Sequence, residues 1–186
     1  GGGGMAGGVA TWIKAHYPNT KVIGVEGVGQ ASMAASLKRG EPVTLHEVDT
    51  FCDGTAVKRP GDLTFQICKA MLDDMVLVTN EEVSAAIHQY WDCKRVIPEP
   101  AGAMGLAGLQ KYAAEHKGEI EGKKILVVLC GANMDFGKLG LIAGQSAIGA
   151  HRRRYLRFHL NEQRGSLLQL LDNIFADVNV SEFQYG

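Results

Sequence analysis

Apolar residues along the chain recur with two alternating periods. Val9, Trp12, Ile13 and Tyr17 fall at helical spacing, and Lys21-Val22-Ile23-Gly24-Val25-Glu26 reads as a buried strand. Residues 30–39 have helical composition, and Gly40-Glu41-Pro42 ends that segment. After an irregular stretch over 43–61, Asp62 opens a helix through Phe65, Ile67, Met71 and Leu72. Met75-Val76-Leu77-Val78-Thr79 then predicts a short apolar strand. Asn80 is expected as an N-cap, with Glu81 and Glu82 in the first turn of a helix that runs to about Trp91.

Arg95-Val96-Ile97 reads as a brief strand or extended segment, and Glu99-Pro100 starts a helix over 101–116 that is rich in small residues, with proline at a favoured first-turn position. Ile125-Leu126-Val127-Val128-Leu129-Cys130 is a continuous apolar run expected of a parallel strand covered on both faces, closed by Gly131-Ala132-Asn133. Strands alternating with helices in this way predict an α/β fold, an open and mostly parallel sheet with flanking helices. The character changes near Gly149. Tyr155-Leu156-Arg157-Phe158-His159-Leu160 alternates like a half-exposed strand, 167–174 forms an amphipathic helical pattern, and 178–185 suggests a second strand. The chain thus divides into residues 1–149 and a partial α+β unit over 150–186.

With 186 residues, 46% of them hydrophobic, the chain is long enough to bury one substantial core plus a small appendix. A formal net charge of −1 gives no bulk attraction to nucleic acid or to an acidic membrane, which leaves small molecules or other subunits as partners. The basic triplet Arg152-Arg153-Arg154 reads as a solvated linker. No apolar run has the length of a membrane span. Cys52, Cys68, Cys93 and Cys130 lack CxxC spacing and lie in or beside apolar runs, which predicts reduced core thiols and a reducing compartment, cytoplasmic or organellar. The six histidines show no ligand spacing, so no metal site is assigned.

The chemistry begins with Gly1-Gly2-Gly3-Gly4-Met5, which runs into a helical pattern. Glycines let successive backbone N–H groups turn toward one anion, and a helix start adds its positive end, so the run reads as a phosphate cradle. A flexible linker has the same composition. Three further segments follow: Asp53-Gly54-Thr55-Ala56-Val57-Lys58-Arg59-Pro60-Gly61, Glu99-Pro100-Ala101-Gly102-Ala103 and Cys130-Gly131-Ala132-Asn133. In order and approximate spacing the four resemble those of threonine dehydratases, fold-type II enzymes that use pyridoxal 5'-phosphate.

The resemblance implies that Gly1, Gly2, Gly3, Gly4 and Met5 hold the cofactor phosphate through backbone N–H groups. It also implies that Gly54 lies against a face of the pyridine ring and that Cys130 faces the ring nitrogen. A thiol is a weak partner there, which suits elimination of a β-hydroxyl. Glu99 matches an acid near the cofactor, and a helix N-terminal acid is the other reading of it. Glu26 corresponds to a carboxylate that binds a divalent cation in serine racemases, but Ser32 stands where the second acid is expected, which is poor provision for a hard cation. Lys58 does not match the Schiff-base motif, whose lysine is expected upstream of the glycine loop, so no catalytic residue is assigned and the chain is expected to be a fragment.

In the tail, Leu160-Asn161-Glu162-Gln163-Arg164-Gly165-Ser166-Leu167-Leu168 resembles the opening of the ACT-like regulatory module of biosynthetic threonine dehydratases, with Arg164 replacing the usual proline. The implied activity of the whole enzyme is conversion of L-threonine to 2-oxobutanoate and ammonia in isoleucine biosynthesis, with isoleucine as effector and a homotetramer as the assembly. A serine dehydratase or racemase, and a non-catalytic amino-acid-sensing protein, remain the alternatives.

Overall fold

The two periods of the sequence become a small parallel sheet with helices packed on both faces. In a computed structural model that describes residues 1–184, the elements of the first unit are α1 (Gly4–His16), β1 (Ile23–Gly27), α2 (Ser32–Arg39), α3 (Asp62–Met71), β2 (Asp74–Val78), α4 (Asn80–Lys94), α5 (Pro100–Glu115), α6 (Lys117–Ile120) and α7 (Leu139–Gly149). β1 pairs with β2 in parallel, with Ile23 opposite Asp74 and Gly27 opposite Val78. Side chains alternate across the sheet. Val76 and Val78 therefore join Val83, Ala86, Ile87, Ala103, Met104, Ala107 and Ile142 in one apolar cluster, which Ile23 and Val25 border. Met75 borders a second cluster of Met33, Phe65 and Cys68.

The short sequence signals fix the helix ends. Pro100 occupies the first turn of α5, and Asp62 lies in the first turn of α3, where a negative charge favours the helix start. At α4 the cap is Thr79, one residue before the expected Asn80. Thr79 Oγ1 accepts from the Glu82 N–H at 3.2 Å, and Glu82 Oε2 accepts from the Thr79 N–H at 2.7 Å. This reciprocal box satisfies two donors at once, which a lone asparagine does not. Asn80 instead donates to Asp49 Oδ2 at 2.6 Å.

Three expectations need correction. The run 125–130 forms neither helix nor strand and joins no ladder, and Leu126 is 85% exposed. A strand exists only through its hydrogen-bonded neighbour, and among the described residues β1 and β2 pair with each other alone. The run lies along α5 instead, so close that a Cβ on Gly102 would overlap the Cys130 carbonyl. The segment 155–160 is likewise not a strand, nor is 178–184, and Tyr185 lies outside the described residues. Only two thiols are core groups: Cys52 and Cys68 are buried, Cys93 and Cys130 are exposed, and all four are free.

Contacts divide the chain between Arg153 and Arg154. Within the second unit α8 (Ser166–Ile174) follows Gly165, and Phe158 meets Phe175 edge to face at 5.3 Å. No helix among the described residues is long and apolar enough to cross a membrane.

Candidate cofactor site

The glycine loop is held open at the start of α1. Gly3 is its N-cap, in the left-handed region at φ 83°, with no side chain capping the helix and no acid in the first turn. A Cβ there would strike the Met33 methyl and come within 3.2 Å of Thr64 Cβ. The Thr64 hydroxyl donates to the Gly2 carbonyl, and the Cys68 thiol lies 3.7 Å from the Gly3 carbonyl. Loop carbonyls are thus turned toward α3, and the first N–H groups of α1 are left for an outside acceptor. Met5 is exposed in that first turn.

Glu26, on β1, is 2% exposed and accepts from the nitrogens of Gly1 (2.8 Å), Met33 (3.1 Å) and Ala34 (2.8 Å). Two of these donors belong to the first turn of α2, so the buried charge rests at a helix N-terminus. Beside it Ser32 Oγ and Gln30 Oε1 are buried without a hydrogen-bond partner among the described residues.

The turn Asp53–Thr55 is fixed from behind. Gln30 Nε2 donates to the Cys52 carbonyl at 3.2 Å and to Thr55 Oγ1 at 2.5 Å, and Asp53 Oδ1 accepts from the Gly54 N–H at 2.9 Å. Burial, with Asp49 and Asp53 nearby, pushes the Cys52 thiol up to about 12, so it is a neutral wall group and not a nucleophile. Lys58 turns to the His46 carbonyl at 2.9 Å.

The four sequence segments meet in one place. A Cβ on Gly1 would stand 3.1 Å from the Thr55 backbone, and one on Gly54 would stand 3.3 Å from Ala101 Cβ and 3.4 Å from Glu99 Oε1. Glu99 is the N-cap residue of α5, yet its side chain does not cap that helix. Oε2 accepts from the Asn133 N–H at 3.1 Å, while the Glu99 N–H donates to the Gly131 carbonyl at 3.1 Å. Gly131, at φ 78°, lies against the Glu99 carboxylate so closely that any Cβ would overlap it. Gly54 and Cys130 are both exposed, flanking Glu99. Sequence reasoning did not single out Gln30 or Thr64; one sits in a stretch of helical composition and the other in the first turn of a helix, and no motif marks either.

The sequence model of a family described as pyridoxal-phosphate dependent enzyme matches residues 1–131. Over 185 residues the chain is 43% identical to the protein named L-threonine dehydratase biosynthetic IlvA of Haemophilus influenzae, covering all of this chain and 36% of that protein. It is 42% identical to threonine dehydratase 2 biosynthetic, chloroplastic, of Solanum lycopersicum, covering all of this chain and 31% of that protein. The solved structure of the processed form of threonine deaminase isoform 2 from Solanum lycopersicum superposes with a TM-score of 0.77 at 46% identity, covering 80% of this chain and 40% of that one. The chain therefore spans about a third of the length of these curated relatives. By the match over residues 1–131, which end at the Cys130-Gly131 turn beside Glu99, the chain belongs to the pyridoxal-phosphate dependent enzyme family.

Proposed function

We propose that this chain supplies the phosphate grip and ring-facing wall of a biosynthetic threonine dehydratase, which converts L-threonine into 2-oxobutanoate and ammonia. The observation that carries the reading is the meeting of the glycine loop at the start of α1 with the Asp53–Thr55 turn, Glu99 and the Gly131–Asn133 turn. The residues fit the cofactor. A dianionic phosphate needs several convergent donors and no competing acid, which an uncapped helix start preceded by glycines provides. A flat ring stacks best on a residue with no side chain of its own, and Gly54 is exposed and bare, with Ala101 and Glu99 beside it.

Bound pyridoxal phosphate supplies an electron-withdrawing ring that stabilises negative charge at the substrate α-carbon while the β-hydroxyl leaves. The chain's own part is to hold and orient. The N–H groups of Gly2 to Gly4 and Met5 would bind the phosphate, with Gly1, whose nitrogen is held by Glu26, anchoring the loop's start; Gly54 would present no side chain to the ring face, and the Cys130 thiol would offer a weak S–H donor at the ring nitrogen. Thr64 and Gln30 keep the loop and the turn in place from behind, through Gly2 and Thr55.

The same reading assigns residues 1–149 to the catalytic domain and 150–186 to the opening of an ACT-like domain that senses isoleucine, in a homo-oligomer housed in a reducing compartment. Its support is the resemblance of residues 160–168 and the four free cysteines. The test is to assay the whole protein that carries this chain with pyridoxal phosphate and either L-threonine or L-serine. Threonine-dependent release of 2-oxobutanoate and ammonia is expected. A preference for serine would favour the serine dehydratase reading, and no oxoacid from either amino acid would defeat the enzyme reading.

A further inference from the structure

Glu99 has an odd position for a helix N-cap. Its side chain ignores the N–H groups of α5 and reaches across to the turn that follows Cys130. The attachment has two points, the Asn133 N–H on Oε2 and the Glu99 N–H on the Gly131 carbonyl, both at 3.1 Å. Behind them, Gly102 packs against the Cys130 carbonyl so closely that no side chain fits between. Residue 130 is thus gripped on its carbonyl side and through Gly131 and Asn133, while it is itself exposed. Upstream, 125–130 joins no ladder among the described residues and is held by packing on α5, where Gly105 meets Val127 and Val128. Oε1 of the same carboxylate stands beside Gly54, 3.4 Å from where a Cβ on that residue would be.

We propose that Glu99 is a positioning residue of the cofactor site: its carboxylate ties the turn 131–133 to the start of α5 and thereby places the Cys130 thiol at the ring edge. The inference rests on the proposed cofactor reading. A thiol is a weak donor whose contribution depends on alignment, so a turn free to shift forfeits it. The glycine loop lies at the start of α1, on other supports, and does not need Glu99 to hold a phosphate.

The experiment uses the whole protein that carries this chain and two probes, pyridoxine 5'-phosphate, which has no aldehyde to condense with lysines, and inorganic phosphate. Glu99→Ala is expected to weaken pyridoxine 5'-phosphate roughly three- to tenfold, as loss of one uncharged hydrogen bond does, and to leave inorganic phosphate unchanged. Glu99→Gln keeps an oxygen for the Asn133 N–H and is expected to bind like the unaltered protein. In a Cys130→Ala background Glu99→Ala should cause no further loss, because its effect passes through the thiol. An equal loss in both backgrounds, an equal loss for both probes, or a Gln variant as weak as the Ala variant overturns the assignment. Should Glu99→Ala fail to fold, Glu99→Asp, which withdraws the carboxylate by one methylene, is read by the same criteria. Failure of the unaltered protein to bind either probe overturns the cofactor reading itself; binding of both with no Glu99 effect overturns only the role of Glu99.

Discussion

At Gly3 the backbone conformation and the surroundings make the same demand. Its φ of 83° disfavours any L side chain, and the space where a Cβ would go is filled by Met33 and bordered by Thr64 and Cys68. Gly3→Ala is therefore expected to cost about 1–3 kcal/mol in urea unfolding and to weaken inorganic phosphate, since the loop must shift off the helix start. Asp73 gives a pH-dependent counterpart. It accepts from Lys14 at 2.7 Å and from the Val22 N–H at 2.6 Å, and these, the lysine first, hold its carboxyl below the ordinary value. A depressed folded-state value adds stability above the unfolded value and loses it as pH falls through the folded one. Asp73→Asn should thus lower the urea midpoint at pH 7, by less than about 1 kcal/mol for so exposed a pair, and the gap should close below about pH 4. A gap that persists in acid would mean that the charge is not what Asp73 contributes.

Among the elements, α4 shows how much a local signal decides. Thr79→Ala removes an oxygen that accepts from Glu82 and is expected to cost about 1 kcal/mol in thermal or urea unfolding, whereas Asn80→Ala should cost less because Asn80 caps nothing. The alternation that predicted β1, β2 and α1 to α5 is legible because each buries one face against another part of the same chain. α7 was not legible: its apolar residues circle the helix without a clear stripe, and Gly140, Gly144 and Gly149 argue against a helix by propensity. It forms through packing on α4, where Gly149 lies so close to the Glu81 carbonyl that a Cβ would clash. The run 125–130 failed in the opposite sense, being strand-like in composition yet unpaired, because pairing is a property of the neighbour and not of the segment. At the site, the glycine loop, Gly54 and Cys130 were readable as motifs, but the tie from Glu99 to Asn133 was not, since two residues so far apart in sequence meet only through the packing of α5.

For the whole molecule, every residue assigned to the cofactor lies in the first of the two units, on the near side of Arg153. The segment that follows has no helix or strand from Arg154 until α8, and Arg154 and Arg157 offer basic cleavage points there, just past Arg152 and Arg153. A protease needs several residues of accessible, unstructured backbone, so cleavage is governed by local order more than by the number of arginines. Lys14, Lys94 and Lys111 sit inside helices and are protected by comparison. Lys123 and Lys124, exposed before the unpaired run 125–130, compete by the same rule, so the test uses a Lys123→Gln, Lys124→Gln variant: brief trypsin treatment is expected to cut it first between residues 152 and 157 and to leave a long amino-terminal product. If the site belongs wholly to that unit, the product keeps the affinity of the intact chain for pyridoxine 5'-phosphate within about threefold, since its N–H donors, Gly54 and the Glu99 tie all remain. Mass spectrometry locates the first cut, and titration of the purified product measures the affinity. A product that is cut there but has lost the ligand would overturn the assignment of the site to the first unit alone.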